Sequence, residues 1–246
     1  MAAEAVIVVM GVVLLASMAQ SVTAFGFALI SVPAMVLVLD VKDTVVIVSL
    51  LALSSEVLLA FRVWASVQWP TVLRLAVGSW LGMPIGLLVL LRVPEEGLRL
   101  IVALAAMVLA GALAAGMRIT ARGTAVEGAV GMVSGVLQTS TTMSGPPVVS
   151  YLVGRGDARD EFRGVMAIYL LIGSIAAVAI FFVAGVVTED AVLLALVGLP
   201  AVLAGSLLGN WLVSRIDAAL FRRIVIALLF ATALSGVGFS IQRLVT

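Results

Sequence analysis

Histidine and cysteine are absent from all 246 residues. With them go the usual zinc and haem ligands, thiolate nucleophiles and disulfides. The absences argue against a metalloenzyme, a cysteine-relay sulfur carrier and a Ser-His-Asp hydrolase, and the sequence points to no cofactor, no metal and no enzyme. Charge is scarce as well: 11% of residues are charged, with a formal net charge of +1, which offers no basic surface for nucleic acid. What fills the chain is apolar. Hydrophobic residues make up 63% and mean hydropathy is +1.30, more than the surface of a soluble domain tolerates. The sequence therefore reads as an all-α polytopic membrane protein whose first partner is the lipid bilayer. About 20 apolar residues per crossing leave room for roughly eight crossings with short loops.

Residues 1–19 end in Ala16-Ser17-Met18-Ala19, which resembles a signal-peptide cleavage site. They carry Glu4 and no Lys or Arg, whereas a signal peptide has a basic leading region. The segment is read as a membrane helix of the mature chain.

Apolar runs cover 5–25, 27–39, 44–61, 71–91 and 98–117, then 124–138, 145–153, 164–187, 191–213 and 219–241. Five fall in each half. A shift of 123 places Gly78, Gly82, Gly86, Arg92, Arg99, Ile101 and Val102 on Ala201, Gly205, Gly209, Arg215, Arg222, Ile224 and Val225. A shift of 118 places Gln20, Ser21 and Thr23 on Gln138, Thr139 and Thr141. The change of shift implies about five extra residues in the second half, placed in the charged segment Arg155 to Arg163. The expected organisation is a first transmembrane repeat over 1–117, a cytoplasmic linker over 118–123 and a second repeat over 124–246.

Orientation follows from the basic residues, which stay cytoplasmic in short loops. Arg62, Arg74, Arg118, Arg122, Arg155, Arg159, Arg163, Arg215, Arg222 and Arg223 go inside; Lys42, Arg92, Arg99 and Arg243 go outside, with the Glu189-Asp190 loop. This arrangement makes the start of each half a re-entrant or broken helix pair that begins and ends on one side. Three full spans then follow, and the halves are inverted.

Two stretches break the apolar pattern, Gln20-Ser21-Val22-Thr23-Ala24-Phe25-Gly26-Phe27 and Gln138-Thr139-Ser140-Thr141-Thr142-Met143-Ser144-Gly145-Pro146-Pro147. Irregular backbone at membrane depth needs protein or water around it, because hydrocarbon cannot satisfy freed N–H and C=O groups. In the second stretch Gly145-Pro146-Pro147 ends one helix and restarts another. The positive end of the restarted helix, with the hydroxyls of Thr139, Thr141, Thr142 and Ser144, attracts anions. The alternative is a kinked helix whose hydroxyls bond back to their own backbone. In the first stretch Gln20, Ser21, Thr23 and Gly26 close the same cavity from the opposite side, or Gly26 serves close helix packing, with Pro33 a tolerated membrane proline.

Glu56, between Ser54-Ser55 and Val57-Leu58, is a carboxylate inside an apolar helix. Such a group faces a cavity and carries protons, or it pairs with Arg62; its partner in the second half falls near Ile175. Gly78, Gly82 and Gly86, like Ala201, Gly205 and Gly209, form small-residue stripes for close helix packing. The charged cluster Arg155, Asp157, Arg159, Asp160, Glu161 and Arg163 reads as a solvated loop.

On these residues the chain resembles the sulfite exporter TauE/SafE family, also grouped as toluene sulfonate uptake permeases. Gln20 to Pro33 is similar to that family's first-repeat motif, and Gly135 to Leu152, with Gly145-Pro146-Pro147-Val148-Val149-Ser150-Tyr151-Leu152 at its core, to the second. The second stretch has hydroxyls where many members have more glycine. The resemblance implies transport of sulfite, sulfoacetate or other sulfonates across a bacterial inner membrane. The expected function is a secondary transporter working by alternating access around paired broken helices. A small anion would be bound by Gln20, Ser21, Thr23, Gly26, Gln138, Thr139, Thr141, Thr142, Ser144, Gly145 and Pro146, with protons on Glu56 as the coupling ion. The rival readings are a membrane-embedded scaffold or assembly protein and an anion channel.

Overall fold

The computed structural model describes residues 3–213. The helix expected over 219–241, with Ile224, Val225, Arg215, Arg222, Arg223 and Arg243, lies outside them. The described chain is helical throughout: α1 (Ala3–Thr23), α2 (Phe27–Met35), α3 (Val41–Val63), α4 (Trp69–Arg92), α5 (Glu95–Ala114), α6 (Thr124–Thr141), α7 (Gly145–Arg155), α8 (Arg159–Val183) and α9 (Glu189–Val213). Six of these, α1, α3, α4, α5, α8 and α9, are long and apolar enough to cross a membrane. The other three are too short or, in α6, too polar. Leu73, Val77, Trp80, Leu81 and Leu88 stand exposed along α4, a lipid-facing stripe that water would not support. Trp64 and Trp69 meet edge to face, 5.3 Å apart, in the turn between α3 and α4, where membrane proteins concentrate amphipathic rings.

Contacts at the helix ends fix the two faces of the bundle. Where α2 finishes, Arg99 at the start of α5 donates to the carbonyls of Val36 and Leu39 and pairs with Glu95 at 3.1 Å. Glu95 in turn accepts the Val41 N–H that opens α3, at 2.8 Å. Thr188, just ahead of α9, donates to Asp43 on this same face, at 3.2 Å. α1 runs alongside α9 in the same direction, since a Cβ on Gly205 would strike the Leu14 carbonyl and one on Gly209 the Met18 carbonyl. α1 therefore begins, and α2 ends, on the Arg99 face.

The opposite face holds the end of α7. Arg155 donates there to Gln68 at 2.6 Å and Thr71 at 2.7 Å, both at the start of α4, and lies 3.6 Å from Glu127 in the first turn of α6. α6 runs parallel to α4, with Gly78, Gly82 and Gly86 against the carbonyls of Gly128, Met132 and Val136, and Gly131 and Gly135 against those of Leu75 and Ser79. The small-residue stripe of α4 thus brings two helix backbones into contact, the closest association in the fold. α1–α2 and α6–α7 are helical hairpins that open on opposite faces.

The expectation of a solvated loop over Arg155 to Arg163 is corrected. Arg155 and Asp157 pair with each other in a largely buried site, because the end of α7 must anchor on α4 and α6. Arg159 to Arg163 already belong to α8, and Arg163 donates to the Ser21 carbonyl at 3.3 Å, satisfying one of the orphan acceptors at the end of α1. Arg62, Arg118, Arg122, Arg155, Arg159 and Arg163 sit at helix ends on the Arg155 face, and Lys42, Arg92 and Arg99 at ends on the other. Cysteines placed at Asp190 and at Arg122 are expected to react with an impermeant maleimide from opposite sides of the membrane. Labelling of both from one side would contradict this topology.

Candidate functional site

α1 and α6 both stop at a residue in the left-handed region: Ala24 has φ +66° and Thr142 φ +61°. Non-glycine residues are held there at a cost of order 1–3 kcal/mol, which surrounding structure must offset. Gly26, at φ +101°, then turns the chain into α2. The two breaks meet, with Phe25 lying against Gly145 so closely that a Cβ on the glycine would be 3.4 Å from the phenylalanine Cβ.

Between the breaks lies a cavity of about 20 Å³, room for about one water molecule. Gly26 to Leu29 line it from the first hairpin with Gln20; Thr142 to Gly145 line it from the second with Gln138; Ala52 and Glu56 come from α3, and Leu170 and Ser174 from α8. Among the described residues Glu56 is the one ionisable side chain in this lining. It is 3% exposed, and no ion pair joins it to Arg62 among the described residues. The Ser174 hydroxyl lies within hydrogen-bonding reach of its carboxyl, while its Oε2 has no partner.

The hydroxyls of the second hairpin are already engaged. Ser144 donates to Gln138 Oε1 and Ser134 to the Ser144 carbonyl. Gln138 Nε2 reaches Ser174 at 3.5 Å. Thr142 donates to the Val45 carbonyl at 3.3 Å and lies 3.2 Å from the Ser49 hydroxyl. A polar chain thus runs from Ser134 through Ser144 and Gln138 to Ser174, which lines the cavity with Glu56, inside the helix bundle.

Of the residues the sequence nominated, the cavity brings together Gln20, Gly26, Glu56, Gln138, Thr142, Ser144 and Gly145. Five others face elsewhere. Thr139 donates to the Met83 carbonyl at 2.6 Å and Thr141 to the Leu137 carbonyl at 3.0 Å. Ser21 donates to the Ser206 carbonyl at 3.3 Å and Thr23 to the Ala19 carbonyl at 2.9 Å, and Pro146 is buried in α7 behind Gly145. Back-bonding to the preceding turn, one of the two readings of the hydroxyl run, thus describes Thr141 and Ser140. Ser174 was missed. It stands in the apolar run of α8, and only its distance of 118 residues from Glu56 would have singled it out.

A helical protein with six candidate membrane spans among the described residues has the architecture of a multi-pass membrane protein. Comparison with known proteins makes this specific: the family model for the sulfite exporter TauE/SafE matches residues 9–236, and the chain belongs to that family. No curated protein and no solved structure matches the chain.

Proposed function

We propose that the protein is a secondary transporter that moves a small sulfur oxyanion, sulfite or an organic sulfonate, by alternating access across a cell's plasma membrane. The observation that carries this reading is the meeting of both helix breaks at one cavity that also holds Glu56. Discontinuous helices at the midplane are where transporters place substrate and coupling ion.

Inverted repeats supply the moving parts. Ala24 and Thr142, the two non-glycine left-handed residues, are 118 residues apart; so are three pairs that line the cavity, Gln20 and Gln138, Ala52 and Leu170, and Glu56 and Ser174. Gly82 against Met132 has its counterpart in Gly205 against Leu14, and Gly86 against Val136 in Gly209 against Met18. In each case the α1 and α6 partners differ by 118 and the α4 and α9 partners by 123. The shift of 118 already holds at Ser174, so the extra residues fall after it and not in the segment Arg155 to Arg163. The counterpart of Glu56 is accordingly Ser174.

A cavity with space for one water cannot pass an oxyanion without rearrangement, which favours a transporter over an open pore. Glu56 sets the coupling. Leaving a carboxylate charged where it is buried with no cation beside it is costly, and an uncharged Glu56 would remove the charge that repels an anion from the site. Protonation and anion binding are thereby linked. The test is a stability screen of detergent-solubilised protein with sulfite, sulfonates, carboxylates and phosphate, because a ligand that binds only the folded state raises the melting temperature. Sulfite or a sulfonate is expected to stabilise. Stabilisation by carboxylates or phosphate alone would overturn the substrate class, and no stabilisation by any anion would favour the scaffold.

A further inference from the structure

The cavity is nearly symmetric in its helices but not in its hydrogen-bond donors. On the second hairpin the side-chain donors of Ser144, Gln138 and Thr142 are engaged by protein acceptors, and α7 opens on Gly145-Pro146-Pro147, of which Gly145 alone brings an N–H. Proline carries no N–H, so two first-turn amides that a helix start would offer are missing. The first hairpin is different. The first bond of α2 runs from the Ile30 N–H to the Gly26 carbonyl at 3.2 Å, which leaves the N–H groups of Phe27, Ala28 and Leu29 with no carbonyl a turn earlier to receive them. All three residues line the cavity, and Gly26 has no side-chain cap to offer them. Ala28 and Leu29 stand 118 residues before Pro146 and Pro147.

Two further polar side chains in the lining are left unpaired. Gln20 and Glu56 are at least 97% buried, line the cavity, and each keeps one oxygen without a partner, Oε1 and Oε2. A carboxyl that holds its proton on Oε2 is a donor in want of an acceptor. The Gln20 amide, turned about its last bond, presents N–H to the same space. Phe27 to Leu29 with these two side chains make an acceptor-seeking pocket of the kind that binds anions at helix starts.

We propose that the transported anion is held chiefly by the first turn of α2, its oxygens accepting from the amides of Phe27, Ala28 and Leu29 with Gln20 and Glu56 beside them, and that α7, whose opening Gly145-Pro146-Pro147 brings a single N–H, contributes less. A sulfite or sulfonate head, with three oxygens, matches several converging donors better than a two-oxygen carboxylate. This inference rests on the reading of the cavity as the transport site.

Calorimetric binding of sulfite and methanesulfonate to purified protein tests it. Ala28→Pro removes one amide at a helix position where α7 itself carries proline, and a weakening of about tenfold or more is expected from losing a hydrogen bond to a charged ligand. Ala28→Asp keeps the backbone unrestricted, suits a helix start and sets a negative charge where the anion would lie, so binding is expected to be lost while the melting temperature holds. Pro146→Ala, which returns an amide to α7, is expected to change affinity by less than about threefold. If Thr142→Ala and Ser144→Ala abolish binding while both Ala28 variants retain it, α7 holds the anion and this inference falls, with the transport reading intact. If the Ala28, Thr142 and Ser144 variants all bind like the wild type, or the wild type binds neither anion, the cavity is not the site and both fall.

Discussion

Glu56→Gln is expected to abolish transport driven by a pH gradient while leaving anion binding in place. Glutamine has the shape of a protonated glutamate and donates a hydrogen bond, so the cavity keeps its donor next to Gln20 and Ser174. It cannot release a proton. The variant is locked in the state that accepts an anion, and flux in proteoliposomes should become indifferent to the direction and size of the pH gradient. Glu56→Asp, which retracts the carboxyl by one methylene, is expected to keep the pH dependence at a reduced rate. A Glu56→Gln protein that still follows the gradient would remove Glu56 from coupling and leave it a structural hydrogen-bond partner.

The second large effect is on folding. Gly82→Ala is expected to destabilise the protein by about 3 kcal/mol or more, at the upper end for overpacked sites, because the added Cβ falls on the main-chain carbonyl of Met132 and neither backbone can yield without separating α4 from α6. Gly135→Ala, aimed at the Ser79 carbonyl, is expected to do the same. Gly111→Ala has nothing near its new methyl and replaces a helix-interior glycine. It is expected to stabilise by up to about 1 kcal/mol. Unfolding in a graded mixture of denaturing and mild detergent measures all three, and equal stabilities would mean that the close approach of α4 and α6 is not what holds the halves together.

Much of the architecture was legible because membrane helices declare themselves by composition and their interruptions by polar residues. Interruptions ahead of α2 and α7 were expected at the two polar stretches, where Gly26 and Gly145-Pro146-Pro147 have conformational preferences that are local. The site was less legible. Thr139, Ser140 and Thr141 are consecutive on a helix, so they point in directions about 100° apart, and composition cannot say that none of their hydroxyls lines the cavity. Donors at the start of α2 were invisible for another reason: they are backbone amides, and their availability depends on Ala24 and Gly26 turning the chain. Arg155 looked like part of a solvated charge run because Glu127, Gln68 and Thr71, its partners with Asp157, are scattered over the sequence. Ser174 carried no signal of its own beyond the repeat.

The measurement that bears most directly on the transport cavity is flux of radiolabelled sulfite into proteoliposomes containing the wild type and, separately, Gly145→Val. Gly145 sits where the hairpins meet, with Phe25 and Met166 within 4 Å of its missing Cβ; alanine would fit, whereas a branched side chain wedges the two breaks apart. Saturable wild-type flux that falls to the level of empty liposomes in folded Gly145→Val protein is the predicted result. Wild-type flux no greater than that of empty liposomes, or flux that survives Gly145→Val unchanged, would contradict it.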